Sequence, residues 1–270
     1  MLKNLLSKRN ICRLCDSKNL ELAVPLLPTP VAEKYLDKNE LDKKELLCPL
    51  DLYMCLVCGH VQLLDIVEPN FLYSDYTYSS GGSKGLVNHF KEYVDQICKK
   101  FQPLKEGLVV DIGSNDGVAL KPFKDLGFKN ILGIEPAKNL AKLANKNKIK
   151  TLNFFLEKKN IKKVKKNANL ILASNVFAHS DNLKEMASCM IELLSKKGTI
   201  VIEVQYLLNT LKDLTFDNIY HEHYNYWSLT SLVNFFKQFN AKIFRSECVD
   251  THGGSLRVYI KKDKKTKIEK

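Results

Sequence analysis

Two periods of apolar residues run along this chain, and they divide it. From Lys84 the spacing of Leu86, Phe90, Val94, Ile97 and Phe101 is helical with one apolar face, and Pro103 stops its continuation. Beyond it, short apolar runs alternate with helical patterns. The runs fall within residues 108–117 and at 130–135, 149–156, 169–173, 199–204, 241–248 and 255–261; the helical stretches are 118–126, 139–147, 183–194 and 229–239. Such alternation predicts an α/β fold with a largely parallel sheet, here of seven strands. Earlier residues follow another pattern. Pro25, Pro28 and Pro30 forbid a regular helix or central strand, and residues 49–55 and 60–67 alternate as a hairpin would. The reading is therefore a small lobe at 1–80 followed by an α/β domain at 81–270. Between them, FLYSDYTYSSGGS is too polar and glycine-rich for a core element, and its aromatics suggest a lid or wall.

Composition narrows the setting. No run of eighteen apolar residues exists, so a membrane span is not expected, and the start MLKNLLSKRN lacks the apolar core of a secretory signal. Eight cysteines without such a signal point to metal binding or free thiols, and to the cytoplasm. The net charge of +12 comes from lysines spread over surface-like positions, densest at Lys158 to Lys166 and Lys261 to Lys270. No aromatics interleave with them as stacking platforms require, so solvated surface is favoured over nucleic-acid binding.

The chemistry begins at LVVDIGSNDG, residues 108–117. Asp111 stands where a buried strand ends, and Gly113 and Gly117 permit backbone angles other residues avoid. The dinucleotide fingerprint G-x-G-x-x-G is absent, since Asn115 occupies its second glycine position. Asp111, Gly113, Asn115 and Gly117 suit a nucleoside site instead. Glu135 ends the next apolar run, at the roughly twenty-residue separation expected of a carboxylate gripping ribose hydroxyls. This pairing resembles the S-adenosylmethionine (SAM) methyltransferases, whose Rossmann-like sheet has seven strands, and it implies SAM as cofactor. Asn175, in the SNVFAHSDN loop after the fourth expected strand, is grouped with the cofactor residues.

Cys12 and Cys15 in CRLC are answered by Cys55 and Cys58 in CLVCG, four thiolates that make the tetrahedral set of a structural zinc. One such pair alone would also read as a redox motif. Cys48, Cys98, Cys189 and Cys248 stand in apolar patterns and read as core packing. The densest cluster is FDNIYHEHYNY, residues 216–226, just past the fifth expected strand and so on the ligand rim. Two histidines around Glu222, with tyrosines on either side, offer groups that titrate near neutrality. Catalysis, metal binding and packing all remain readings of this segment; on an extended chain His221 and His223 would face the same way, but no third ligand is evident.

The two cysteine pairs, TPVAEKYL, PLDLYMCLVCGHVQL, the NVFAHSDN loop, the H-E-H segment and THGGSLRVYI together resemble the zinc-containing sugar C-methyltransferases. These enzymes methylate a carbon of a nucleotide-linked ketosugar. The resemblance implies His223 as general base, with Glu222, Tyr220 and His179 beside it, and a tyrosine from the inter-domain loop that maps to Tyr76 or Tyr78. It also implies a structural zinc on Cys12, Cys15, Cys55 and Cys58, and a small-molecule, nucleotide-sugar substrate. Longer members continue into a further domain, so the expectation is that a partner chain supplies that surface, that the substrate is smaller, or that the chain is a truncated remnant. An RNA methyltransferase and a non-catalytic binding module are the competing readings.

Overall fold

The computed structural model describes residues 5–32, 34–73, 76–263 and 265–269; Lys264 and Lys270 of the basic tail, Ser74 and Asp75 of the aromatic stretch, Glu33 of the proline-rich segment and the first four residues lie outside them. Seven strands form the central sheet: β1 (Leu108–Ile112), β2 (Asn130–Ile134), β3 (Thr151–Leu152), β4 (Ala168–Ser174), β5 (Leu194–Gln205), β6 (Lys242–Val249) and β7 (Ser255–Lys261). Their spatial order is β3-β2-β1-β4-β5-β7-β6. The first five are parallel neighbours, and β7 runs antiparallel to both β5 and β6.

That order reverses direction between β1 and β4. In sheets of this kind the reversal opens a crevice beyond the carboxyl ends of the strands, where ligands bind. The strands are apolar on both faces, as covered parallel strands must be. Val110, Ile112, Ile171, Ile200 and Ile202 join one core; Val109, Leu170, Leu172 and Val201 join the other, under helix α1 (Lys84–Phe101). Ser83 caps α1 by accepting from the Leu86 N–H, and left-handed Gln102 ends it just before Pro103.

Several boundaries differ from the sequence pattern for physical reasons. The third strand is only two residues long, because its partner β2 ends at Ile134 and leaves Phe154 to Leu156 without a ladder. Those apolar residues wall a cavity instead. At the start of the stretch read as too polar for a core element, the short helix Pro69–Tyr73 takes in its first three residues and buries Leu72 and Tyr73, with Glu68 accepting from the Phe71 N–H. Cys48 and Cys189 are core residues as read, but Cys248 is exposed and Cys98 half-buried, since period alone does not tell a covered face from a bare one.

The small lobe holds an antiparallel four-stranded sheet. Leu52–Cys55 pairs with Leu20–Val24 on one side and Val61–Leu63 on the other, the hairpin expected around the second cysteine pair. The fourth strand, Asn225–Tyr226, arrives from the far end of the H-E-H segment and pairs with Val61–Leu63. Among the described residues no helix is long and apolar enough to cross a membrane.

Candidate active site and zinc centre

A cavity of about 610 Å³ opens at the carboxyl ends of β1, β2, β4 and β5. At one end lies the glycine turn. Gly113 and Gly117 have φ of +65° and +86°, and a Cβ on Gly113 would meet Val176 at 2.1 Å, so only glycine lets the β4 loop come this close. Glu135 accepts from the Asn115 and Ala137 N–H groups, both at 2.8 Å. Burial raises the pKa of its carboxyl while those two donors pull it down. Asp111 is 3% exposed, and burial, with Glu135 beside it, pushes its carboxyl well above the usual range.

The side chain of Asn115 does something the spacing did not show. Its Oδ1 accepts from Ser80 N–H at 3.0 Å and its Nδ2 donates to the Tyr78 carbonyl at 3.0 Å, while Asp116 accepts from Ser79 Oγ and Gly81 N–H. The turn thereby pins the tyrosine-rich stretch across the cavity mouth. Tyr76 and Tyr78 both line the cavity.

A nucleoside of SAM fits this end on three observations. The turn leaves no Cβ at Gly113 or Gly117, the Ser114 hydroxyl is buried without a partner among the described residues, and two acids face the cavity from the ends of adjacent strands. Asp111, Gly113, Asn115 and Glu135 line the cavity, whereas Gly117 lies behind it, where a Cβ would strike Ile149 at 2.9 Å.

The other end is lined by Tyr220 and His223 of the H-E-H segment, with His179 beside them. His223 and its neighbours lie in a turn, with the His223 N–H donating to the Tyr220 carbonyl at 2.9 Å, so the two histidines do not share a face as an extended chain would require. His221 leaves toward the small lobe and meets the Cys48 carbonyl at 3.0 Å. His223 lies in the cavity wall, its Nδ1 at 2.9 Å from the Asn218 carbonyl and its Nε2 at 2.9 Å from the Tyr220 hydroxyl. A carbonyl only accepts, so Nδ1 carries the proton and Nε2 is the acceptor. Burial drops the His223 pKa to about 4, against a smaller upward pull from Asn218, and keeps the ring neutral.

His179 stands perpendicular to His223 with ring centroids 4.8 Å apart, and burial likewise holds it well below its ordinary value. Glu222 accepts from the Tyr76 hydroxyl at 2.8 Å and lies 3.7 Å from His179 Nδ1. Tyr73 was missed by sequence reasoning. Its hydroxyl sits between His179 Nδ1 at 3.1 Å and the Glu222 carbonyl at 3.3 Å. The signal was present, since Tyr73 belongs to the same aromatic run, but only packing against the lobe distinguishes it from its neighbours.

The four cysteine sulfurs lie within 4.8 Å of one another, with Cys12 to Cys58 at 3.6 Å and Cys15 to Cys55 at 3.5 Å. A tetrahedral zinc with bonds of about 2.3 Å needs sulfurs about 3.8 Å apart, so this donor set fits the metal. Gly59, at φ +71°, makes the turn after the last ligand. With four thiolates the coordination would be complete, leaving no open position for catalysis.

Two side chains tie this centre to the cavity. Arg13, inside the first cysteine pair and 2% exposed, donates to Asp181 at 2.9 Å and to the Gln62 side chain at 3.2 Å. Asn225 Oδ1 accepts from His60 Nε2 at 3.0 Å, and Asn225 Nδ2 donates to the Ser180 and Ala178 carbonyls at 2.9 and 3.1 Å. Both therefore hold the loop that carries His179.

Comparison with known proteins agrees with this geometry. A family model described as "Methyltransferase domain" matches residues 88–245, and one described as "Putative zinc binding domain" matches residues 12–73. C-methyltransferase NovU from Streptomyces niveus is 32% identical over 252 residues, which cover 92% of this chain and 60% of NovU. Among solved structures, an S-adenosylmethionine-dependent methyltransferase from Clostridium acetobutylicum ATCC 824 aligns with TM-score 0.54 and 11% identity over 66% of this chain and 92% of that one. The PH0226 protein from Pyrococcus horikoshii OT3 aligns with TM-score 0.55 and 14% identity over 68% and 94%. At these identities the structural likeness speaks for the fold alone.

Proposed function

This chain belongs to the zinc-containing SAM-dependent methyltransferases, the family of C-methyltransferase NovU, and we propose that it transfers a methyl group to a carbon beside the carbonyl of a nucleotide-linked ketosugar. The observation that carries the reading is a neutral imidazole, its tautomer fixed, in the same cavity as the glycine turn. In this reading Asp111, Gly113, Asn115, Gly117 and Glu135 build the cofactor end, and Asn175 borders it. Residues 1–80 serve as the zinc-binding lobe and 81–270 as the methyltransferase domain.

When bound, SAM supplies an electrophilic methyl group carried on a sulfonium. A carbon next to a carbonyl becomes a nucleophile only after losing a proton, and His223 Nε2 is the acceptor for it. Substrate entry moves the Tyr220 hydroxyl from Nε2 to the substrate carbonyl oxygen, which takes up negative charge as the proton leaves. Such a donor contributes about 2.7–4 kcal/mol where it has been removed from oxyanion sites. The Asn218 carbonyl then stabilises the charged His223 ring. Glu222, through Tyr76 and His179, orients the opposite wall, and Tyr78 helps close the mouth.

The chain spans about 60% of the length of NovU, so the surface for the nucleotide is proposed to involve a further chain or segment. Four cysteines gathered as a metal set and four others outside any disulfide suit a reducing compartment, which supports a cytoplasmic setting. Incubation with labelled SAM and a panel of nucleotide ketosugars, followed by mass spectrometry of the products, tests the function. Methyl transfer to a ring carbon beside the carbonyl is expected; transfer to RNA or to oxygen atoms alone would overturn it.

A further inference from the structure

The motif THGGSLRVYI has no part in the reaction as derived so far, yet its first turn is built with unusual care. His252, Gly253 and Gly254 take φ of +51°, +72° and +95° in succession, a conformation that favours glycine at each position. Surrounding bonds enforce it. The Gly254 N–H and Ser255 Oγ both donate to the Thr251 carbonyl, at 2.9 and 3.0 Å, and the Tyr206 N–H donates to the Gly254 carbonyl at 3.1 Å. A Cβ on Gly254 would lie 2.1 Å from Asn209 Nδ2. Backbone held in sparsely populated angles by its surroundings points to a use for the side chain it presents. That side chain is His252, which lines the cavity.

Two neighbours in the cavity wall are short of partners. Asn175, itself left-handed at φ +56°, places its amide nitrogen 3.4 Å from His252 Nδ1, and its buried Oδ1 has no hydrogen-bond partner among the described residues. Exchanging the amide's oxygen and nitrogen does not remove the problem, because one of the two still faces away from His252. Gln205 ends β5 directly opposite Ser255 of β7, and its buried Oε1 is likewise without a partner. Buried acceptors left open cost roughly 1–3 kcal/mol each, so a ligand that supplies donors is favoured there.

We propose that Gln205, His252 and the Asn175 amide form a hydroxyl-reading subsite, which binds a neutral hydroxyl on a carbon next to the one that accepts the methyl group. The proposal deepens the ketosugar reading and rests on it. A hydroxyl donates one hydrogen bond and accepts others, matching one of the open amide oxygens beside an imidazole. An anion does not suit the corner. Lys159 is the one lysine or arginine among the described cavity-lining residues, and it is held to Glu157 at 2.7 Å. Burial keeps His252 below its ordinary pKa, so it brings no fixed positive charge.

The test uses two nucleotide-linked ketohexoses that differ by one ring hydroxyl beside the carbon that accepts the methyl. Their dissociation constants are measured by calorimetry with S-adenosylhomocysteine bound, and KM and kcat by mass spectrometry. The unaltered protein should prefer the hydroxylated sugar by roughly 5- to 100-fold, expressed mainly in KM. Gln205→Met should bring that ratio toward one while SAM affinity stays unchanged. His252→Asn, which tolerates the left-handed backbone, should do the same and covers the case in which the first variant fails to fold. A ratio of one in the unaltered protein, or a ratio that survives both substitutions, overturns the subsite but leaves the ketosugar reading standing. Methyl transfer to neither sugar, with SAM bound normally, overturns that reading and the subsite with it.

Discussion

Replacing Asn225 by Leu tests how firmly the zinc-binding lobe holds the catalytic wall. Asn225 is 2% exposed, and its amide serves Ser180 O, Ala178 O and His60 Nε2 at once. Leucine is of similar size, so the change removes hydrogen bonds more than volume. Ala178 O keeps a second donor, the Asn225 N–H at 3.2 Å, but Ser180 O and His60 Nε2 lose the partners described here. The buried His60 nitrogen left open at about 1–3 kcal/mol, with the part-buried Ser180 carbonyl adding less, gives an expected loss of roughly 1–4 kcal/mol. The assay is built in. Trp227 is the one tryptophan in the chain, its indole N–H donates to the Phe177 carbonyl at 3.3 Å, and its ring lies 4.8 Å from His60. Urea unfolding followed by tryptophan fluorescence therefore reports on this joint directly. With the His179 loop loosened, methyl transfer should also fall more than SAM affinity does. A stability change below about 0.5 kcal/mol, the size of an ordinary surface substitution, would refute the claim that Asn225 anchors the loop.

Three further outcomes are expected. Glu135→Ala should weaken SAM binding by roughly 1.5–3 kcal/mol, and unchanged calorimetric affinity would remove Glu135 from the site. His223→Asn should keep SAM and zinc but lower turnover by about 10²–10⁴-fold. Because its folded pKa of about 4 lies below the unfolded value near 6.5, the unfolded state binds the proton first as pH falls; stability is lost between about pH 6.5 and 4, by about 3 kcal/mol for this group, and the variant's pH–stability curve should be shallower there. Cys58→Ser should release the metal from a protein that otherwise holds one zinc per chain, which elemental analysis measures.

Local chemistry made much of this legible in the sequence. Apolar strands with Asp111 next to the end of one and Glu135 just past the end of the next follow a strict order, and the glycines that shape the turn cannot be exchanged for other residues without collision. Cys12, Cys15, Cys55 and Cys58 declare themselves by spacing. What the sequence withheld depends on contacts between distant segments. Arg13 and Asp181 are separated by 168 positions, and nothing local marks an arginine between two cysteines as a buried tie. His221 and His223 were expected to face one way because they are two apart, but the turn at Tyr220 breaks the strand geometry on which that rule depends. Phe154 to Leu156 continued an apolar run, and only the end of β2 shows that they line a cavity rather than extend a sheet.

The strand Asn225–Tyr226 also sets an order of assembly. All four cysteines leave the ribosome early, so the knuckle can capture its metal while most of the chain is unmade. The sheet around it cannot close then, because Val61–Leu63 keeps a bare edge until residue 226 has been synthesised, roughly ten to thirty seconds later at usual elongation rates. Through that interval the newborn lobe presents an open ladder of the kind that invites pairing with other chains. The N-terminal part of this enzyme is therefore the first to bind zinc and among the last to finish folding, and an excised lobe would carry the same unpaired edge permanently.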